Sequence, residues 1–355
     1  MQPDEQKTRP IAPGGDAYGT HRAVEPRGSL PQPAWRLDND FGRLFEGETL
    51  LAVGTLAIDA ASFAQIAQQG GRDSEIAHII LRTVAERGKQ HNPVTGSGGM
   101  LLGRVLQIAP GRNDESLRVG DRIATLVSLS LTPLRVDRVV AVRKAGAQLD
   151  VEGEAVLFAS GAYSKLPNDI PERVVLAALD VAGAAPQVAR LVKRSDVVLV
   201  LGAGGKSGLF CAAEARRRGG AAARVIGVEA DARAADELRA LGWCDAVIVL
   251  DARDPIAVRR AVLDANDGRE ADVTFSCVNV PDAESSAILA TRDRGVVYFF
   301  AMSTSFTKAA LGAEGLGKDV DLFIGNGFAR GHAEHTLAML RDIPALRAVF
   351  ERRVG

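Results

Sequence analysis

The sequence predicts an α/β protein, with a doubly wound parallel sheet in the C-terminal half behind a β-rich N-terminal unit. Three observations carry this reading. From residue 196 to 301, short apolar runs alternate with helical stretches, the pattern of a parallel sheet covered by helices. The runs, such as DVVLVLG and RVIGVEA, are rich in Val and Ile without polar alternation, as strands buried on both faces are. The first of them leads straight into a glycine cluster that opens a helix.

Taken in order, residues 1–36 are rich in Pro and Gly and poor in large apolar groups, which predicts an irregular or mobile arm with little to bury. RLFEGETLLAV (43–53) predicts a first strand or hairpin. DAASFAQIAQQ (59–69) and DSEIAHIILRTVAER (73–87) have helical apolar spacing, each behind an Asp suited to N-capping. HNPVTGSGG (91–99) breaks the periodicity. MLLGRVLQIAP, VGDRIATLVSLSLTP and RVVAVRK continue as strands of a β-rich unit. From Pro171 a long helical stretch, interrupted near Pro186, leads into the alternating region. After Ala301 come a loop, a strand-like DLFIG and a helical GHAEHTLAMLRDI. The expected division is an arm (1–36), a β-rich catalytic domain (37–165), a dinucleotide-binding domain (166–320) and a return segment (321–355).

Composition narrows the function classes. The chain has 355 residues, 46% hydrophobic and 25% charged, with net charge -1, so a basic stripe for nucleic acid is not expected. No apolar run approaches the ~18 residues of a membrane span. The opening MQPDEQKTRP is charged where a secretory signal would be apolar. Cys211, Cys244 and Cys277 form no CxxC pair, which fits a reducing, cytoplasmic setting and no structural zinc. His332 and His335 lie three apart without an HExxH pattern and are expected to be solvated helix residues.

The strongest local signal is VLVLGAGGKSG (198–208). Gly202, Gly204, Gly205 and Gly208 let the backbone turn tightly and approach a pyrophosphate, whose charge meets the N–H groups at the helix start. Lys206 and Ser207 complete a GKS triplet, but position 200 is Val, so the phosphate loop of nucleotidases does not match. Lys206 instead faces a cofactor phosphate or solvent. Glu229, 21 residues after Gly208, is placed to accept both ribose hydroxyls of NAD and to repel a 2′-phosphate, so NAD is expected over NADP. Asp251, Cys277, Asn279, Ser303 and Thr304 follow later strands, where ligands of open parallel sheets bind.

A β-rich unit with a Gly120-Asp121-Arg122 turn, then GAGGKSG, then a return segment resembles the medium-chain dehydrogenase/reductase superfamily. The resemblance implies a Rossmann-type domain, a GroES-like N-terminal catalytic domain and a homodimer. Zinc-dependent members carry Cys and His ligands after the first strands; here that stretch holds His78 and His91 but no cysteine, so no metal is expected. HNPVTGSGGMLLGRV (91–105), KLPNDIPERVVLAALDVAGAAPQV (165–188) and FARGHAEHTLAML (328–340) resemble the L-erythro-3,5-diaminohexanoate dehydrogenases of lysine fermentation. That resemblance implies NAD-dependent oxidative deamination of a small diamino acid. A zinc-independent carbonyl or quinone reductase using NAD(P)H is the alternative, and a nucleotide-sensing protein without catalysis is a third reading.

Such a substrate needs partners for a carboxylate and two ammonium groups, and a proton acceptor. The polar loops offer His91, Asn92, Thr95 and Ser97, then Tyr163, Lys165, Asn168 and Asp169, then Ser303 and Thr304. His91 is the candidate for proton transfer, on its ordinary pKa near 6.5. Glu86 and Asp169 are candidates for holding an ammonium.

Overall fold

The computed structural model describes residues 8–94, 96–325 and 327–354. It divides into two compact units, one reaching to Asp180 and including Arg353, the other spanning Val181–Arg352.

In the first unit, the N-terminal segment forms β1 (Ile11–Ala12), β2 (Ala23–Glu25), β3 (Arg36–Leu37) and β4 (Leu44–Phe45). β5 (Thr49–Ala57) follows, then helices α1 (Ala60–Gly70) and α2 (Asp73–Arg87). β6 (Met100–Ile108), β7 (Arg122–Thr125), β8 (Leu134–Arg143), β9 (Gln148–Leu157), β10 (Tyr163–Lys165) and α3 (Glu172–Leu179) complete the unit. Its main sheet is antiparallel, in the order β10-β7-β6-β5-β9-β8. Leu51, Val53, Leu101, Val105, Leu149 and Val151 of this sheet pack against Phe63 and Ile66 of α1 and Ile76, Ile80 and Val84 of α2. The spacing of these helical residues is the one that gathers side chains on a single face.

Local chemistry sets the helix starts. Asp59 caps α1 by accepting from the Ser62 amide at 3.0 Å. At α2 the cap is Arg72 and not Asp73, which becomes the first helical residue. There its charge still favours the positive end of the helix.

The second unit opens with α4 (Ala184–Leu191) and then alternates: β11 (Val197–Leu201), α5 (Lys206–Gly219), β12 (Arg224–Glu229), α6 (Ala232–Leu241), β13 (Ala246–Val249) and α7 (Pro255–Ala265). It continues with β14 (Ala271–Ser276), α8 (Glu284–Leu289), β15 (Thr291–Phe299), α9 (Phe306–Leu316), β16 (Asp321–Ile324), α10 (His332–Asp342) and α11 (Pro344–Val354). The six strands are all parallel, in the order β13-β12-β11-β14-β15-β16. This is the Rossmann order, whose direction reverses between β11 and β14. β11 is buried at every residue, which is why its sequence shows no alternation.

Three expectations are corrected. The helical stretch after Pro171 breaks at 180–183 and not at Pro186, which sits in the first turn of α4, where a missing N–H costs nothing. DLFIG, expected within a return segment apart from the dinucleotide-binding domain, adds β16 to the edge of the parallel sheet.

The third concerns the N-terminal segment, irregular but firmly anchored. Arg22 is fully buried, donating to Glu48 from Nε at 2.7 Å and from Nη2 at 2.8 Å. His21 bridges Glu48 at 2.9 Å and Asp16 at 3.1 Å. A composition poor in apolar groups hid this charged anchor. No single helix among the described residues is long and apolar enough to cross a membrane.

Candidate functional site

The switch point of the parallel sheet carries the glycine turn. Gly202 adopts φ +72°, a conformation that glycine alone takes at no steric cost, and its amide bonds Val228 O at 2.8 Å. A Cβ on Gly208 would stand 2.1 Å from Gly202 O, and one on Gly204 would stand 2.7 Å from the Ala234 Cβ and 2.9 Å from Glu229 Oε2. Gly205 caps α5, with Lys206 its first residue and Ser207 and Gly208 next. The first-turn amides of a helix have no partner within it and attract anions. The turn is thus closed to any larger residue at Gly204 and Gly208, the tight glycine turn at a helix start on which a dinucleotide pyrophosphate could be held.

Glu229 ends β12 beside this turn. Its Oε2 accepts from the Gly204 amide at 2.9 Å and its Oε1 from the Asp231 amide at 3.0 Å. Each carboxylate oxygen accepts more than one hydrogen bond, so ribose hydroxyls remain within its capacity. Asp251, beyond β13, is exposed and held by Arg253, whose hydrogen bonds push its pKa down to about 2. Cys277, at the end of β14, is buried with its Sγ 3.7 Å from that of Cys211. It contributes backbone and packing at the switch point and not an accessible thiol. Asn279 follows it, exposed. The Ser303 hydroxyl donates to Val278 O at 2.8 Å, tying the loops after β14 and β15, and the Thr304 amide bonds Ala301 O in the same turn.

In the first unit, His91 and Asn92 follow α2 in an irregular segment. Asn92 is buried; its Nδ2 donates to Gln65 Oε1 at 2.8 Å and its Oδ1 accepts from the Val94 amide at 2.8 Å. Ser97 lies opposite, its carbonyl accepting from the Asn92 amide at 2.8 Å. Thr95 lies outside the described residues. His91 is half-buried, and its Nδ1 is buried with no hydrogen-bond partner among the described residues. Burial, with the charges of Lys89 and Arg87, lowers its pKa to about 4. The expectation of an ordinary value near 6.5 is therefore corrected: the imidazole is neutral at pH 7 and a weaker base than free histidine.

Other candidates are engaged elsewhere. Tyr163 donates to Asp114 at 2.5 Å and lies 3.0 Å from Ser116 Oγ, under the Arg112 guanidinium. Lys165 pairs with Asp121 at 2.7 Å and donates to Ser116 O. Both serve the unit's own structure. Asn168 and Asp169 are exposed before α3, and Glu86 is exposed on α2. His332, expected to be solvated, is buried edge-on against Phe328 at 5.0 Å, and His335 lies 3.5 Å from Glu214. Among the described residues no group of three or more His, Cys, Asp or Glu is arranged to hold a metal ion.

Residues 21–167 match the N-terminal domain of L-erythro-3,5-diaminohexanoate dehydrogenase. Over 340 residues the chain is 51% identical to a protein of that name from Acetoanaerobium sticklandii, covering 95% of this chain and 98% of the relative. It is 49% identical, with the same coverage, to its namesake from Fusobacterium nucleatum subsp. nucleatum. The chain belongs to the L-erythro-3,5-diaminohexanoate dehydrogenase family.

Among solved structures, an alcohol dehydrogenase from Thermotoga maritima matches with TM-score 0.55 at 16% identity, over 85% of this chain and 84% of that one. An Escherichia coli quinone oxidoreductase complexed with NADPH matches with TM-score 0.53 at 18% identity, over 84% and 80%. These share the Rossmann-plus-GroES-like fold with this oxidoreductase. Two features of this diaminohexanoate dehydrogenase family member lie outside the sequence expectations: the His21–Glu48–Arg22 anchor and the buried Lys89, whose Nζ reaches the carbonyls of Pro31 and Gln32. The only sequence signal for the anchor was a His-Arg pair in an otherwise poorly apolar segment.

Proposed function

We propose that this protein oxidatively deaminates L-erythro-3,5-diaminohexanoate with NAD, giving 5-amino-3-oxohexanoate, ammonia and NADH. The observation that carries the reading is the roughly half-identical, nearly full-length match to two proteins of that name. The alternative, a carbonyl or quinone reductase, has for support only fold likeness below 20% identity.

The chain's own residues fit the cofactor. Gly204 and Gly208 let the turn close tightly against Glu229, Ala234 and the Gly202 carbonyl, and the start of α5 supplies N–H donors for a pyrophosphate. Bound there, the nicotinamide group would supply the hydride acceptor. Glu229 supports NAD over NADP, because a carboxylate facing the ribose would repel a 2′-phosphate. Asp251, Asn279 and Ser303 would line the cofactor beyond the strand ends.

Oxidising an amine requires the substrate ammonium to lose a proton and water to replace the nitrogen. We assign the proton acceptor to His91, which is half-buried and neutral at pH 7, its buried Nδ1 being without a hydrogen-bond partner among the described residues. Asn92, with Ser97, shapes the segment around it, and Asp169 would hold a substrate ammonium. We further propose a cytoplasmic homodimer acting in lysine breakdown. Three thiols without disulfides fit a reducing compartment; light scattering on the purified protein checks the dimer.

The assay follows NADH formation with diaminohexanoate, and in parallel NAD(P)H consumption with ketones and quinones. Turnover confined to the ketones or quinones would favour the reductase reading.

A further inference from the structure

The N-terminal segment reaches both flanks of the stretch that carries His91. On one flank, Lys89, fully buried, donates from Nζ to Pro31 O at 2.6 Å and to Gln32 O at 3.2 Å. On the other, the Gln32 side chain donates from Nε2 to Gly96 O at 3.0 Å, while its Oε1 accepts from Ser130 Oγ at 2.6 Å. Ser130 Oγ shares a hydrogen bond with Ser128 Oγ at 2.8 Å, and Ser128 Oγ accepts from the Gly98 amide at 3.1 Å. A third tie lies at the end of α2, where Arg87 donates to Trp35 O at 3.0 Å and covers the Trp35 ring at 4.9 Å.

Gly98 is packed closely enough that this linkage transmits position. A Cβ there would lie 2.2 Å from Gln90 O and 2.6 Å from Ser130 N. Between the two flanks, His91 Nδ1 has no hydrogen-bond partner among the described residues. No hydrogen bond at that buried nitrogen orients the ring, so its placement rests on packing and on how the chain on either side is held.

We propose that Gln32 is a positioning residue, and that the segment around it is a strap holding the His91 stretch in place for the reaction. The proposal rests on the assignment of His91 above. The amide is the chemistry the position needs, because it gives one donor to a carbonyl and one acceptor to a hydroxyl. A carboxylate of the same length keeps the acceptor for Ser130 but has no N–H for Gly96. Gln32 is itself exposed, so replacing it removes no core packing, which separates positioning from stability.

The test uses full-length wild-type, Gln32→Ala and Gln32→Glu proteins. Hydrogen–deuterium exchange without ligands reads the Gly96 and Gly98 amides, which bond Asn92 O and Ser128 Oγ. Steady-state kinetics reads kcat and KM for diaminohexanoate and for NAD. Both variants are expected to exchange these amides about tenfold faster, the effect of losing one ordinary hydrogen bond. They should also lose about fivefold or more in kcat, with KM for NAD and Tm unchanged. Unaltered exchange, or faster exchange with unaltered kcat, would overturn the proposal. Should wild-type protein not turn over diaminohexanoate, the substrate assignment falls, while the exchange result still decides whether the strap exists.

Discussion

The Glu229 carboxylate and the Gly204 amide are joined by a hydrogen bond of 2.9 Å, which makes the acid at the end of β12 part of the turn that follows β11. One residue therefore shapes the glycine turn and, in the proposed cofactor site, would offer acceptor oxygens to a ribose. The two roles separate experimentally, because a neutral amide keeps much of the first and weakens the second.

Glu229→Gln is expected to raise KM for NAD about tenfold, the loss of a charge-assisted hydrogen bond, and to narrow the preference over NADP. Glu229→Ala should do both more strongly. Steady-state kinetics with both cofactors checks this; an unchanged NAD:NADP ratio of kcat/KM in both variants would remove Glu229 from cofactor selection.

Gly204→Ala places a methyl 2.7 Å from the Ala234 Cβ and 2.9 Å from Glu229 Oε2. The side chain and helix α6 must give way, at about 1–3 kcal/mol for an overpacked position. NADH binding measured by fluorescence titration should weaken at least tenfold while the circular dichroism spectrum is retained. Wild-type affinity would contradict the placement of the pyrophosphate at this turn.

The charged anchor makes the N-terminal segment necessary for stability. Glu48→Ala takes from the fully buried Arg22 its two short carboxylate bonds and leaves only the part-exposed Asp38 at 3.2 Å, a loss of about 3 kcal/mol. Removing residues 1–36 strands Glu48 in the same way, contrary to what the composition of that segment implies. Chemical denaturation of both variants reads the effect; a midpoint within error of wild type would refute it.

Two histidines give the stability opposite pH slopes. Burial alone would lower the His21 pKa, but hydrogen bonds from its ring to Glu48 and Asp16 outweigh this and raise it. Its contribution is complete below the unfolded value near 6.5 and fades as pH rises through the folded pKa. His91 runs the other way. Its folded pKa is about 4, so between about 6.5 and 4 the unfolded chain binds a proton that the folded chain does not, and stability falls as pH drops. His21→Gln should flatten the alkaline side of a Tm–pH curve and His91→Gln the acidic side. Unchanged slopes would count against the assigned environments.

Legibility in the sequence followed the physics of each element. β11, β12, β14 and the apolar end of β15 were readable because strands buried on both faces must be continuously apolar, and the glycine turn because no other residue fits at Gly204 or Gly208. The anchor was not readable, since a buried ion pair leaves no apolar trace and Glu48 is distant in sequence from His21 and Arg22. The His91 pKa was not readable either, because it depends on burial and on where Lys89 and Arg87 point. Tyr163 and Lys165 looked like pocket residues because a polar loop side chain shows nothing of its partner; the structure gives them Asp114 and Asp121.

His91→Ala tests the proton-transfer assignment separately from the fold. A general base contributes about 10²–10⁴-fold, and the lowered pKa of His91 places the expected loss in kcat near the lower end. KM for NAD should not change, because the glycine turn belongs to another part of the chain. Unaltered kcat would remove His91 from the chemistry and leave the dehydrogenase reading intact.

Oxidative deamination is read most directly from the stoichiometry of ammonia and NADH formed when purified wild-type protein meets L-erythro-3,5-diaminohexanoate and NAD. The two are expected to appear together in equal amounts, with much slower turnover when NADP replaces NAD. NADH without ammonia, or neither product at substrate saturation, would contradict it.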